Sequence, residues 1–289
     1  MKRVTFYLFL IVCFICFLFI IILGIRAVIY KIQKSGATSA SASASNDVDG
    51  PLVVYGIMIT GKDEQRLQWA ALAVQNFADQ TYPFKKLVIV NHGERRVIVQ
   101  SQDENKVYEF MVDKTANKLT LGELRNIALQ MVPFGALWTI WDDDDYRPPS
   151  YLDALVNKRT ELATDVLAIC QRMEYNILLQ TSWIAAKKSG FVLFIAPRDD
   201  RVTYLDLDSM EDMNILDSFA NVGYKVKAWK DNSPNMYLRL VHNNNTSRYV
   251  NPSKTYLING PDYSERNVSE DEEKEINKIM STYFKIHHK

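Results

Sequence analysis

Cysteine is scarce in this chain. Three occur in 289 residues, and Cys13 and Cys16 both fall in one apolar run near the N-terminus. Cys170 is then the only thiol of the remaining sequence, so no intrachain disulfide framework can form there, which favours a reducing compartment. Net charge is absent too: Lys and Arg number 34 and Asp and Glu 34. Such a balance provides no basic surface for a polyanion and argues against a nucleic-acid partner. No repeat of the solenoid kind is present. Nor is there a glycine-rich phosphate loop: Gly56 and Gly61, near the first apolar strand, do not make one, which counts against a nucleotidyltransferase.

One long uncharged run is present. Between Arg3 and Arg26 the sequence VTFYLFLIVCFICFLFIIILGI would span roughly 33 Å as a helix at about 1.5 Å per residue. That matches a hydrocarbon core of about 30 Å. The run is too long for the apolar part of a signal peptide, and no small-residue cleavage site follows it directly, so a retained membrane anchor is expected. Lys2 and Arg3 on one side face Arg26, Lys31 and Lys34 on the other, so the positive-inside rule does not decide the orientation. Residues 1–34 thus read as anchor and flanks. Residues 35–50, SGATSASASASNDVDG, have nothing to bury and read as a flexible stem. Asn244, Asn245 and Asn267 each begin an N-x-[ST] triplet, which matters only if the following domain is luminal.

A domain over residues 51–260 opens with LVVYGIMIT, a run fit for a strand covered on both faces. Glu64 to Gln80 places Leu67, Ala70, Ala71, Val74 and Phe77 at helical spacing and stops before Thr81-Tyr82-Pro83. A strand over Leu87–Asn91 follows, then one or two short strands, VIVQ and VYEFMV, between Arg96 and Asp113. An amphipathic helix covers Leu121 to Met131, and LWTIW reads as the next strand. Alternation of this kind predicts an α/β fold, a mostly parallel sheet with helices on both faces. Ligands of such sheets bind beyond the carboxyl ends of the strands. Pro149 suits the first turn of a helix over SYLDALVNKRTEL. Strands are expected in DVLAICQRMEYNILLQ and SWIAAKKSGFVLFIAP, a helix in EDMNILDSFANVG ending at Gly223, and a strand in YKVKAW. The segment 261–289 carries a capping-box pattern, Ser269 to Glu272. Its apolar positions Ile276, Ile279, Met280 and Phe284 are sparse, so it reads as a peripheral charged helix.

The strand LWTIW runs directly into Asp142-Asp143-Asp144-Asp145. Four adjacent carboxylates repel one another and need solvent or a cation. A solvated acidic turn is the ordinary fate of such a run, but its place at the ligand edge of the sheet points to a hard divalent cation, Mn²⁺ or Mg²⁺. Such ions take one or two protein carboxylates and leave other positions to substrate phosphates.

A strand, a D-x-D-D cluster at Asp142, Asp144 and Asp145, then Pro149 and Leu152, resembles the donor-binding motif of family 2 glycosyltransferases of the GT-A fold. Three further segments agree in order: QNFADQTYPFKKLVIVNHG, LGELRNIAL with Arg125 and Asn126 at the G-x-x-R-N positions, and SMEDMNILDSFANVGYKV. The resemblance covers roughly Val53 to Trp229. It implies a Rossmann-like GT-A sheet and metal-dependent, inverting transfer of a hexosyl-type sugar from a nucleoside diphosphate to an acceptor hydroxyl. The alternative is a degenerate fold that binds a glycan or nucleotide without turnover.

By that resemblance Asp144 holds the cation, with Asp142 or Asp143 helping through water or the ribose. Asp212 is the general base, and Glu211 orients the helix or the acceptor. Otherwise Glu211 and Asp212 are N-terminal helix acids favoured by the macrodipole. Arg125 belongs to the donor site. A late histidine, His242, would close the metal shell; otherwise it is a surface or packing residue, and Arg239 would instead pair with phosphate. Two departures bear on the nucleotide. Asn91-His92-Gly93-Glu94 replaces the usual D-D-G-S, and the Asn91 amide can pair with a pyrimidine edge. Thr60-Gly61-Lys62-Asp63 replaces P-x-Y-N, so Asp63 either contacts the nucleotide or caps a helix. Trp138, Trp141, Tyr146 and Trp183 are candidates for stacking on sugar rings. Trp138 and Trp141 lie on opposite strand faces, so at most one faces a ligand, and Trp138 suits the core. The expected acceptor is a glycan, glycolipid or glycoprotein near the membrane, and analogy with stem-carrying transferases puts a type II arrangement slightly ahead.

Overall fold

Apolar strands covered on both faces must lie centrally in a sheet, and their alternate residues must feed two separate cores. The computed structural model describes residues 51–61, 64–97, 106–113, 118–187, 193–208, 211–212, 214–230, 237–242 and 263–287. The expected anchor and stem lie outside them. Among the described residues no helix is long and apolar enough to cross a membrane.

The main sheet has seven strands: β1 (Val54–Thr60), β2 (Lys85–Asn91), β3 (Val107–Met111), β4 (Leu137–Ile140), β6 (Val166–Ile169), β9 (Phe194–Pro197) and β10 (Val226–Trp229). Their order is β10-β6-β9-β4-β1-β2-β3. The neighbours run parallel, except that β9 is antiparallel to both β4 and β6. Helices α1 (Glu64–Ala78) and α3 (Tyr151–Glu161) cover one face, and α2 (Leu121–Gln130) and α4 (Ile215–Asn221) the other. Met58, Leu87, Ile89 and Trp141 pack with Val74, Phe77, Leu152 and Leu155 on the first face. Ile57, Val88, Val90 and Trp138 pack with Leu124, Leu129 and Phe219 on the second. Gly56 lets α1 approach β1: a Cβ there would stand 2.7 Å from the Phe77 ring.

A second sheet of five strands is ordered β12-β8-β7-β11-β5. It comprises β5 (Asp145–Tyr146), β7 (Gln171–Asn176), β8 (Thr181–Lys187), β11 (Leu238–Val241) and β12 (Tyr263–Asn267). Its apolar face, with Met173, Tyr175, Ile184, Leu238 and Leu240, is covered by Ile276, Met280 and Tyr283 of α5 (Glu270–His287).

Four expectations are corrected here. The C-terminal helix is no periphery: its few apolar residues sit on one face and complete a core, and β12 pairs with β8. Its capping box forms as expected, between Ser269 and Glu272. Pro149 lies outside α3, which starts after Ser150, because its carbonyl is taken by the Thr81 N–H. Val97 of VIVQ is not in a strand, and the rest of that segment lies outside the described residues. Glu211 and Asp212 sit in the turn before Asn214, the residue that precedes α4, and the acid of its first turn is Asp217.

Candidate active site

Parallel strands bring their carboxyl ends to one edge, and Thr60, Asn91 and the residues after Ile140 meet there. The chain turns sharply after Trp141 because β5 belongs to the other sheet. Arg147 holds that turn. Its guanidinium is buried against the Trp141 ring at 4.4 Å and donates to the carbonyls of Ile140 at 3.3 Å and Asp142 at 3.5 Å. Asn76 of α1 clamps the Arg147 backbone from both sides, donating to its carbonyl at 2.6 Å and accepting its N–H at 3.1 Å.

The solvated-turn reading fails on burial: Asp143, Asp144 and Asp145 are 2%, 8% and 4% exposed. Asp143 accepts the Thr60 hydroxyl at 2.8 Å and Arg66 Nη1 at 2.5 Å. Burial and the neighbouring Asp144 push its carboxyl well above the usual range, against Arg66 and Thr60. Asp144 Oδ2 accepts Arg66 Nη2 at 2.9 Å and stands 3.3 Å from His242 Nε2. Burial raises this carboxyl too, but His242 and Arg66 outweigh it and hold it below the usual value. Asp145 faces away, accepting the Tyr237 hydroxyl and the Leu240 N–H. Burial, with Asp144 and Asp142, lifts it to about 7. Asp142 is the open member, its side chain 35% exposed.

A second cluster meets the first through Arg125. Its buried guanidinium donates to Glu211, lies 3.5 Å from Asp142 and 3.8 Å from Asp212, and stacks over Tyr204 at 5.1 Å. Burial raises the Glu211 carboxyl, and Arg125 opposes that rise. The Asp212 side chain keeps 27% exposure. All three named residues of G-x-x-R-N dock the same segment. Gly122 donates its N–H to Leu207, and a Cβ on it would stand 1.7 Å from the Leu205 carbonyl. Asn126 makes two hydrogen bonds to the Tyr204 backbone, at 2.8 and 3.0 Å. Leu205 in turn donates to the Glu211 carbonyl at 3.2 Å. The motif is thus a cradle for the acid pair.

Other expected residues fare differently. Asn91 is fully buried, and its amide N–H groups go to the Arg95 carbonyl and Glu109 while its oxygen accepts the Gly93 N–H. Both amide donors are thus used within the chain, and the side chain has no exposed surface. His242 stacks on Trp69 at 5.0 Å. Arg239 stands 3.7 Å from the buried Glu174, which Arg172 also holds at 2.7 Å. Trp138 and Trp141 are both core, edge-on to Phe194 and Phe77, so neither offers a sugar platform. Tyr146 packs on Tyr283 of α5, on the sheet face opposite Asp145. Trp183 is half-buried on β8, paired with Glu174. Asp63 lies outside the described residues.

Sequence reasoning missed Arg66, Arg147 and Tyr237. The only signal for them was indirect: buried acids require buried donors somewhere in the chain. Among the described residues, no three His, Cys, Asp or Glu side chains converge on one point. Asp144 and His242, 3.3 Å apart, are the two side chains there that would offer ligands to a cation, whose other positions would fall to substrate oxygens.

No protein-family model matches this chain, and no curated protein does. Solved structures that are similar include S. aureus TarS, at 17% identity and a TM-score of 0.46, covering 66% of this chain and 37% of that one. TarS 1-349 in complex with UDP aligns at 15% identity and 0.47, covering 65% and 61% of the two chains. TarS 1-349 in complex with UDP-GlcNAc aligns at 18% and 0.47, covering 69% and 62%. This chain spans less than two thirds of each, and likeness at these scores decides neither donor nor reaction.

Proposed function

We propose that this protein is a GT-A-like glycosyltransferase that moves a sugar from a nucleoside-diphosphate donor to an acceptor hydroxyl. One observation carries the reading: at the carboxyl edge of the sheet, Arg125 ties the open Asp142 to the acid pair Glu211 and Asp212. A donor site and a base are thereby held by one buried side chain.

In this reading Asp142 and Arg125 meet the donor, while the buried Asn91 acts through the Gly93 and Arg95 backbone it holds. Asp144 and His242 would hold Mn²⁺ or Mg²⁺, which when bound supplies positive charge for the leaving diphosphate. Asp212, the more accessible of the acid pair, accepts the acceptor's hydroxyl proton as the oxygen attacks the anomeric carbon. The C–O bond to the diphosphate breaks on the opposite face, and the configuration inverts. Glu211, pinned by Arg125, keeps Asp212 in place. The acceptor is a glycan, glycolipid or glycoprotein reached from an anchored stem, with a type II membrane arrangement.

The test is a donor panel of UDP-, GDP-, CMP- and dTDP-sugars, including the UDP-GlcNAc held by the TarS structure, with and without Mn²⁺. Metal-dependent release of one nucleotide, lost in Asp212→Asn and Asp144→Asn, is expected. Binding of a donor with no turnover in any condition would replace the enzyme by a binding protein.

A further inference from the structure

Arg66 bridges two neighbouring carboxylates. Nη1 stands 2.5 Å from Asp143 Oδ1 and Nη2 2.9 Å from Asp144 Oδ2. That same Asp144 oxygen lies 3.3 Å from His242 Nε2. The atom best placed to share a cation with His242 is therefore already held by a guanidinium. The side chains of Arg66, Asp144 and His242 are only 10%, 10% and 9% exposed, so water screens the turn poorly and a fixed charge must do it.

We infer that Arg66 is the resident counter-ion of the aspartate turn, and that a divalent cation reaches Asp144 Oδ2 only by displacing it. This rests on Asp144 and His242 as the metal ligands proposed above. An ion on that oxygen would stand a few ångströms from the guanidinium, where two positive charges repel strongly in a buried setting. Arg66 comes from the first turn of α1, on a long side chain that can turn away. Its planar fork matches phosphate as well as carboxylate. A donor diphosphate entering with the cation would accept the released guanidinium, so metal affinity should be low alone and rise with an anionic ligand.

The test is Mn²⁺ titration of the full chain in detergent, read by the electron paramagnetic resonance of free Mn²⁺, for wild type, Arg66→Gln and Arg66→Lys. Arg66→Gln should bind Mn²⁺ about tenfold tighter than wild type, because the competing charge is gone. Arg66→Lys, which keeps the charge but can bridge only one carboxylate, should fall between. Thermal unfolding gives a second readout: Arg66→Gln should melt lower than wild type without Mn²⁺ and gain more from its addition. If Arg66→Gln does not fold, Arg66→Lys carries the comparison. Wild type that binds Mn²⁺ while neither variant binds it more tightly overturns this inference and leaves the metal ligands standing. No binding by any of the three, with Mn²⁺ alone or with inorganic diphosphate added, overturns both.

Discussion

Arg125 and Glu211, 86 positions apart in the chain, share a buried ion pair. The pair joins the helix after the third strand to the turn before α4, and through Asp142 it reaches the aspartate turn. Removing one partner leaves a buried charge without its counter-charge, which typically costs about 3–5 kcal/mol. Arg125→Met should therefore lower the urea midpoint strongly. Arg125→Lys keeps the charge but not the fork, so it should retain most of the stability and still lose about 10²-fold in transfer, since small displacements of a positioned base cost that much. Equal losses in both properties for Arg125→Lys would reduce Arg125 to a structural role.

Gly122→Ala tests the cradle. The added methyl would stand 1.7 Å from the Leu205 carbonyl, a contact that backbone must relieve. Overpacking of this kind costs about 1–3 kcal/mol. The displaced segment leads to Glu211, so transfer activity should fall while the melting temperature drops by only a few degrees. A variant as active as wild type would mean the segment does not position the acid pair.

Asp199 predicts the acid limb of stability. It accepts the Arg201 side chain and N–H and the Tyr224 hydroxyl. Chiefly through Arg201, its carboxyl is held at about 2 against an ordinary 3.8. A depressed folded value means that the contribution is complete above 3.8 and is lost as pH falls through about 2. Asp199→Asn should thus be less stable than wild type at pH 5 and approach it at pH 2. Denaturant midpoints across that range check this, and a constant gap would show that proton linkage is not the cause.

Ile276→Ala tests whether α5 belongs to the core. Ile276 is fully buried against the second sheet, so the truncation should cost about 2–5 kcal/mol. Ile279→Ala, only half-buried on the same helix, should cost less than half of that. Chemical denaturation of both variants compares them, and equal, small effects would return the helix to the periphery.

Local signals were enough for the alternating strands and helices, because apolar spacing reports which faces are covered. The capping box at Ser269, where side chain and backbone three residues apart satisfy each other, is likewise written in nearby residues. The aspartate run stood out for the same reason: adjacent like charges after an apolar strand demand an explanation wherever they occur. What neutralises them could not be read locally. Arg66 is 77 positions from Asp143, and nothing in helical spacing distinguishes a guanidinium that will be buried from one that will be solvated. The same holds for Tyr146, whose ring goes to α5 because β5 joins the second sheet, and for the sparse face of α5, which suffices once that sheet supplies the other half of the core. Patterns of period two and 3.6 determine elements and their buried faces. Which charges meet, and which side of a strand becomes a site, is decided by the packing of elements distant in the chain.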